Sequence, residues 1–353
     1  MSRFLAEFLT QGAGAIAAGV ASRQVEGNAG LTDAFEDLRQ DTVERLRHLA
    51  EAISMRTPEL FAEHVRWSKV AFASRELGTS ILDANLQALD RELDERAPDD
   101  LRKVAREYLQ AGMRAFEMAP SHQESPIAQN ESAKAYFDYL MRGDREAALQ
   151  LVDQALANGQ SSSHITDTVL VPVQVEIGNL WQHGKMNVAD EHFATRVSRE
   201  VLSRFRQSEQ FKTSNDAIVD RDASRRLVTT SVAGELHEFA IEVIADRFEA
   251  DGWVVDRYGT NVPTFDFIGR AIRSRPHAIA ISVSLPTLLR TTQRLIEAIR
   301  AENAFANTTI IVGGNPFSAI PSLSEAVGAD LSARMPDEAV AAVNERVQFD
   351  GPE

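Results

Sequence analysis

From Arg225 onward, short apolar runs alternate with amphipathic stretches, and this rhythm constrains the chain more than any other feature. The candidate strands are Leu227–Val232, Trp253–Tyr258, Ala278–Val283, Thr309–Val312 and a short one near Leu331. Helical stretches lie between them, at about 236–250, 264–274, 287–303 and 317–327. Strands joined by helices at this spacing specify an α/β fold, with a parallel sheet and helices on both of its faces. In such a sheet ligands bind beyond the carboxyl ends of the strands. Three loops fall there: Ala233–His237, Ser284–Thr287 and Gly313–Ser318. Gly313-Gly314 would let backbone come close to a ligand, although such a pair also serves as a plain turn.

Upstream the chain reads as helical throughout. Residues 1–22 hold one apolar-leaning stretch diluted by Gly, residues 11–30 are rich in Gly, Ala and Asn, and 1–30 is expected to be a flexible arm. Leu31, Phe35, Leu38, Leu46, Leu49 and Ile53 recur at helical spacings. Thr57-Pro58-Glu59 starts a further helix, with a hydroxyl cap, a proline whose N–H is not needed and an acid at the positive end of the dipole. Leu82, Leu86, Leu89 and Leu93 mark a third helix, and Val104, Tyr108, Met113 and Phe116 a fourth. Residues 31–118 are therefore predicted to form an all-α bundle, with a signalling or oligomerisation role. His48, His64 and Trp67 are single residues on its helices and read as packing or surface groups. Residues 119–130 and 209–224 read as linkers, and 131–208 as a second set of four helices.

Composition excludes several function classes. Lys plus Arg is 37 against 52 for Asp plus Glu, a net charge of −15, which disfavours binding to a phosphate backbone. The chain has no cysteine, so disulfides, thiolate nucleophiles and cysteine-held zinc are excluded. Glu7 and Gln11 interrupt the first apolar stretch, which argues against a signal peptide. No run reaches the ~18 apolar residues expected of a membrane helix. A cytoplasmic protein with no membrane contact is expected.

Several segments in register resemble a known family. Glu235-Leu-His237-Glu-Phe-Ala240 is similar to the acid-x-His-x-x-Gly loop that follows the first strand of flavodoxin-like cobalamin-binding domains. Gly259-Thr-Asn-Val262-Pro263 after the second strand, Ser282-Val-Ser284-Leu285, Val312-Gly313-Gly314 and Gly328-Ala329-Asp330 agree with it in order and spacing. Upstream, Trp181 followed after nine residues by Glu191-His192 resembles the helical cap of light-sensing, adenosylcobalamin-binding repressors of the CarH type. The resemblance covers about 130–345 and implies a four-helix cap over residues 131–208 and a cobalamin domain over 225–348.

The resemblance implies a site. His237 would be the lower ligand of cobalt and Glu235 would fix its tautomer, a division of labour that suits a neutral imidazole and a neighbouring carboxylate. Ser282, Ser284, Thr287, Gly313 and Gly314 would line the slot for the cofactor's detached nucleotide tail. Trp181, Val188, Glu191 and His192 would cover the opposite face of the corrin, and three of them lie at i, i+3 and i+4 of one helix. Two departures stand out. Ala240 replaces the glycine of the loop motif, and Gln182 follows the cap Trp where the repressors carry a second cobalt-ligating histidine. The histidine here is His183, turned by about 100° around the helix. The repressors' DNA-binding domain is replaced by the acidic bundle, so direct DNA binding is not expected.

The expected function is accordingly that of a non-enzymatic, adenosylcobalamin-dependent photoreceptor. Light would cleave the cobalt–carbon bond, and the signal would pass through homo-oligomerisation or a protein partner. A corrinoid methyl carrier for a methyltransferase and a light-independent cobalamin sensor are the alternatives. A mutase is not expected, because the N-terminal residues are too few for a substrate barrel of ~250 residues.

Overall fold

A computed structural model describes residues 2–75, 78–120, 122, 124–207 and 225–347. The linker read at 209–224 lies outside the described residues, as do positions 121 and 123 of the earlier one. The chain divides into two compact units: Met1–Gln123 with Leu285–Arg294 and Asn315–Gly328, and Glu124–Ser284 with Leu295–Gly314 and Ala329–Glu353.

The first unit is built on five helices: α1 (Ser2–Gly27), α2 (Phe35–Ser54), α3 (Pro58–Ser74), α4 (Thr79–Arg96) and α5 (Asp99–Met118). The arm expected at residues 1–30 is instead α1, which packs on α2 and α4. Leu5, Leu9, Ile16, Ala17 and Val20 are buried along one face. The glycines that make this stretch look flexible serve a close approach: a Cβ on Gly19 would come within 1.9 Å of the Glu92 carboxylate on α4. Among the described residues, Phe4–Gly27 is also a helix long and apolar enough to cross a bilayer, contrary to the expectation that no run is.

Polar residues cross the bundle's interior. Asn85 donates to Gln24 Oε1 and Thr42 Oγ1, both at 2.8 Å, and accepts from the buried Arg45 guanidinium. His48 and His64 stack with ring centroids 3.7 Å apart and an interplanar angle of 11°. Parallel stacked rings direct their in-plane lone pairs past one another, so the pair is a packing element and does not chelate a metal. Burial, with Arg45 nearby, pushes His48 down to about 4 and His64 well below its ordinary value. Glu51 of α2 is buried and accepts from the Arg290 N–H at 2.7 Å, in the first turn of the helix Leu289–Ala301.

The second unit opens with helices α6 (Glu131–Met141), α7 (Arg145–Ala157), α8 (Ser162–Ile165), α9 (Val171–Gln182) and α10 (Val188–Gln207). A single π turn, Thr166–Leu170, joins α8 to α9. Pro172 offers no N–H there, and the Val171 N–H reaches back five residues to Thr166 O. Tyr136, Leu140, Leu149, Val173, Val197 and Val201 form a core, and Phe239 and Val243 complete it from the next segment.

That segment is the α/β sheet. Its strands are β1 (Arg226–Val232), β2 (Val254–Val262), β3 (Ala278–Ser282), β4 (Thr309–Gly313) and β5 (Leu331–Ala333), all parallel, in the order β2-β1-β3-β4-β5. Helices α11 (Phe239–Ala250), α12 (Thr264–Ser274), α13 (Leu289–Ala301), α14 (Asn315–Ala319), α15 (Leu323–Val327) and α16 (Pro336–Arg346) follow in turn. The step from β1 to β2 and the step from β2 to β3 run in opposite directions. With right-handed crossovers, α11 and α12 must therefore lie on opposite faces. The reversal makes a crevice at the carboxyl ends of β1 and β3. Strand β2 runs further than the sequence suggests. Gly259–Val262, expected to follow the strand, continues it through two register shifts against β1, with Asn261 at a φ of 55°. The final helix α16 has no counterpart in the sequence reading; it packs on β4, β5 and α11.

Candidate functional site

The loop after β1 stands at the topological reversal, and its geometry centres on Glu235. This carboxylate is fully buried. Oε1 accepts from the His237 backbone N–H at 3.0 Å and from His237 Nδ1 at 2.5 Å. Oε2 accepts from the Ser284 N–H at 2.6 Å, so one side chain joins the loops after β1 and β3. The turn that delivers it needs Gly234 at a φ of 89°, whose N–H is received by Asn261 Oδ1 at 2.8 Å.

Electrostatics follow from these contacts. Burial pushes Glu235 upward, but the hydrogen bonds from His237 and Ser284 and the charge of His237 outweigh it and hold the carboxyl below its ordinary value. The hydrogen bond to Glu235 raises His237 against the effect of burial, with help from the charges of Glu235 and Glu191. With Nδ1 engaged as a donor, Nε2 carries the lone pair, and the His237 side chain is 55% exposed. A half-exposed imidazole held in that tautomer by a buried carboxylate is the donor set of a metal-ligating histidine with its outer partner. Among the described residues no group of three or more His, Asp or Glu could hold an ion by itself. His237 thus offers one donor nitrogen, Nε2, oriented through Nδ1 by Glu235.

Glu191 of the helical cap is among the charges that raise His237. Val188, Glu191 and His192 lie in the first turns of α10, and Trp181 near the end of α9. Trp181 and Val188 are exposed large apolar groups, at 45% and 51%. Glu191 pairs with the neighbouring His192 ring and accepts from Thr195 Oγ1 at 2.8 Å. His183 is buried at the C-cap of α9, which sets it apart from the exposed Trp181 face, and Gln182 is only partly exposed. Ala240 is exposed in the first turn of α11. Arg199 of α10 pairs with Glu238 at 2.8 Å, tying the cap to the residue that follows His237.

Beneath the crevice, Ser231, Ser282 and Gly313 lie side by side at the ends of β1, β3 and β4. Ser231 Oγ is buried and has no hydrogen-bond partner. Ser282 is buried, and Ser284 is spoken for through its N–H. Gly314 has a structural reason to be glycine: at a φ of 109°, a Cβ there would lie 2.0 Å from Val283 O. Gly313 is different, since a Cβ would meet only Ala333 O at 3.4 Å, so its bareness keeps space open beside an orphaned hydroxyl. Thr287 is exposed in the turn Pro286–Leu288, which belongs to the first unit.

Residues 225–344 match the B12 binding domain family, and residues 132–205 match a second family with the same description. The two matches define a cobalamin-binding class for this chain. Curated relatives agree. A corrinoid protein of Desulfitobacterium hafniense (strain Y51) is 22% identical over 205 residues, covering 58% of this chain and 92% of that protein. Dimethylamine corrinoid protein 1 of Methanosarcina acetivorans is 25% identical over 204 residues, covering 57% and 90%. Among solved structures, the monomethylamine corrinoid protein of Methanosarcina barkeri superposes with a TM-score of 0.53 at 17% identity, over 62% of this chain and 99% of that one, which bears on the fold alone.

The sequence reading missed several residues. Gln174, Thr195 and Ser198 join Glu191 to the buried Tyr136. Their signal was spacing: Thr195 and Ser198 follow Glu191 by four and seven residues, and Gln174 precedes Trp181 by seven, on the same helix faces. Asn261 and Ser231 had no such signal, because a φ near +55° and an unpaired hydroxyl exist only in the folded chain.

Proposed function

We propose that this chain binds cobalamin with His237 beneath the cobalt and works as a corrinoid methyl-carrier protein for a methyltransferase. The observation that carries the reading is the Glu235-held His237 at the crevice between β1 and β3, on a loop that Arg199 of the cap reaches through Glu238. Bound cobalamin would supply a cobalt–carbon bond able to hold and release a methyl group. The protein's part is to bind and orient. Glu235 keeps the His237 proton on Nδ1 and leaves Nε2 free to ligate. Ser231, Ser282 and Gly313 provide a small, partly polar floor. Trp181 and Val188, whose apolar side chains are exposed, would screen the bound group from water. The two corrinoid relatives, which align over nine-tenths of their own lengths, support a carrier.

A second reading, the adenosylcobalamin light sensor, is favoured by one observation: Trp181, near the end of α9, and Val188, the first residue of α10, leave large apolar side chains exposed. Helices α1–α5 lie outside the segments that match B12-binding families and would then be the output element. Purified protein loaded in the dark with methylcobalamin or adenosylcobalamin separates the two. A carrier binds methylcobalamin, surrenders the methyl to a thiol when a methyltransferase is added, and keeps its size under green light. A sensor changes spectrum and oligomer size on illumination of the adenosyl form. Failure to bind either cofactor would overturn both readings.

A further inference from the structure

The hydrogen bonds behind Glu191 form a directed chain. Tyr136 OH lies 3.2 Å from Ser198 Oγ, Ser198 Oγ lies 2.9 Å from the Gln174 amide, and Thr195 Oγ1 lies 2.9 Å from that amide and 2.8 Å from Glu191 Oε1. Tyr136 and Ser198 are fully buried. The proton count selects an orientation. A threonine hydroxyl has one proton and cannot donate to both the Gln174 oxygen and Glu191. If the Gln174 amide is turned over, every group is satisfied. Tyr136 then donates to Ser198, Ser198 to the Gln174 oxygen, the Gln174 nitrogen to Thr195, and Thr195 to Glu191. Thr195 is committed to donating, and Glu191 to accepting, by a chain anchored in the cap core.

We propose that Gln174 and Thr195 are positioning residues that hold the Glu191 carboxylate as a fixed acceptor above the corrin, so that the cap prefers upper ligands carrying a hydrogen-bond donor. This rests on the cobalamin reading. A methyl group has no donor; a cobalt-bound water and the hydroxyls and amine of an adenosyl group do. A partly exposed carboxylate whose rotamer is already set loses little freedom when it accepts such a donor, and a charge-assisted bond of this kind changes affinity about tenfold or more. His192, on the other carboxylate oxygen, leaves accepting directions open, since a carboxylate has about four lone-pair sites.

The test measures dissociation constants for aquacobalamin, adenosylcobalamin and methylcobalamin in the dark, for the full chain and for Thr195→Val, Gln174→Leu and Thr195→Ser. The wild type should bind at least one donor-bearing form about tenfold more tightly than methylcobalamin, and which form it prefers tells water from adenosyl as the natural source. Thr195→Val and Gln174→Leu should erase that ratio, and Thr195→Ser, which keeps the hydroxyl, should restore it. An unchanged ratio in Thr195→Val and Gln174→Leu would overturn the proposal. Equal weakening toward all three forms would do the same, since it would reduce the chain to cap packing. A wild type that binds none of the three would overturn the cobalamin reading itself.

Discussion

Replacing Glu235 by Gln tests the histidine's tautomer directly. The buried carboxylate accepts three hydrogen bonds, two from His237 and one from the Ser284 N–H. An amide can accept on one atom only. If the Gln oxygen faces His237, its NH2 group meets the Ser284 N–H, donor against donor. If the NH2 faces His237, it must donate to Nδ1, which moves the ring proton to Nε2 and removes the lone pair that would ligate cobalt. Both orientations lose a charge-assisted bond, of about 1.5–3 kcal/mol, and loss of such an outer partner lowers metal affinity by roughly 10–100-fold. The pH dependence has a definite sign. In the wild type, protonation of Nε2 competes with cobalt below a pKa that Glu235 raises. Removing the charge moves that competition to lower pH. The affinity gap between wild type and Glu235→Gln should therefore be widest above the raised His237 pKa and narrow as pH falls. The assay is a cobalamin titration by absorption from pH 5.5 to 8.5, recording affinity and the spectral mark of histidine ligation. Equal affinities with superimposable pH profiles, or a gap that widens toward acid, would refute the argument.

Other outcomes follow from the same structure. His237→Ala should remove the histidine-ligated spectrum entirely while leaving the far-UV circular dichroism unchanged, because the side chain is half exposed. Gly314→Ala should destabilise the fold by about 2 kcal/mol or more, since its Cβ meets Val283 O and its φ is left-handed; equal melting temperatures would contradict this. In the first unit, His48 and His64 titrate below their ordinary value, so their contribution is complete above pH 6.5 and is lost as pH falls, at about 1.4 kcal/mol per pH unit for each. Glu51, raised to about 7 chiefly by burial, acts in the opposite sense and offsets one of them. Between pH 6.5 and about 5, Glu51→Gln should therefore steepen the acid loss of stability roughly twofold in denaturant titrations.

How much was legible in the sequence differs by element. Strand-and-helix alternation after Arg225 was readable because the central strands are buried on both faces and so favour apolar runs, as residues 278–281 of β3 show. The Glu235-x-His237 loop was readable because the carboxylate and imidazole that must meet are two residues apart. Helix α1 was misread because its glycines look like flexibility until Glu92 is seen packed against Gly19. The run to Val262 in β2 was missed because a bulge hides the strand period.

The sequence by itself determined the α/β class, the placing of the loops at one edge of the sheet and the identity of the cobalt-binding candidate, since each depends on residues near one another in the chain. Only the tertiary structure decided that Ser284, 49 residues away, would lock Glu235, that Asn261 would hold Gly234, and that Tyr136, 62 residues before Ser198, would anchor the chain of hydrogen bonds behind Glu191. The physical reason is the same in each case. A hydrogen bond spans about 3 Å and depends on direction, and no periodicity along a chain encodes which distant donor will arrive there.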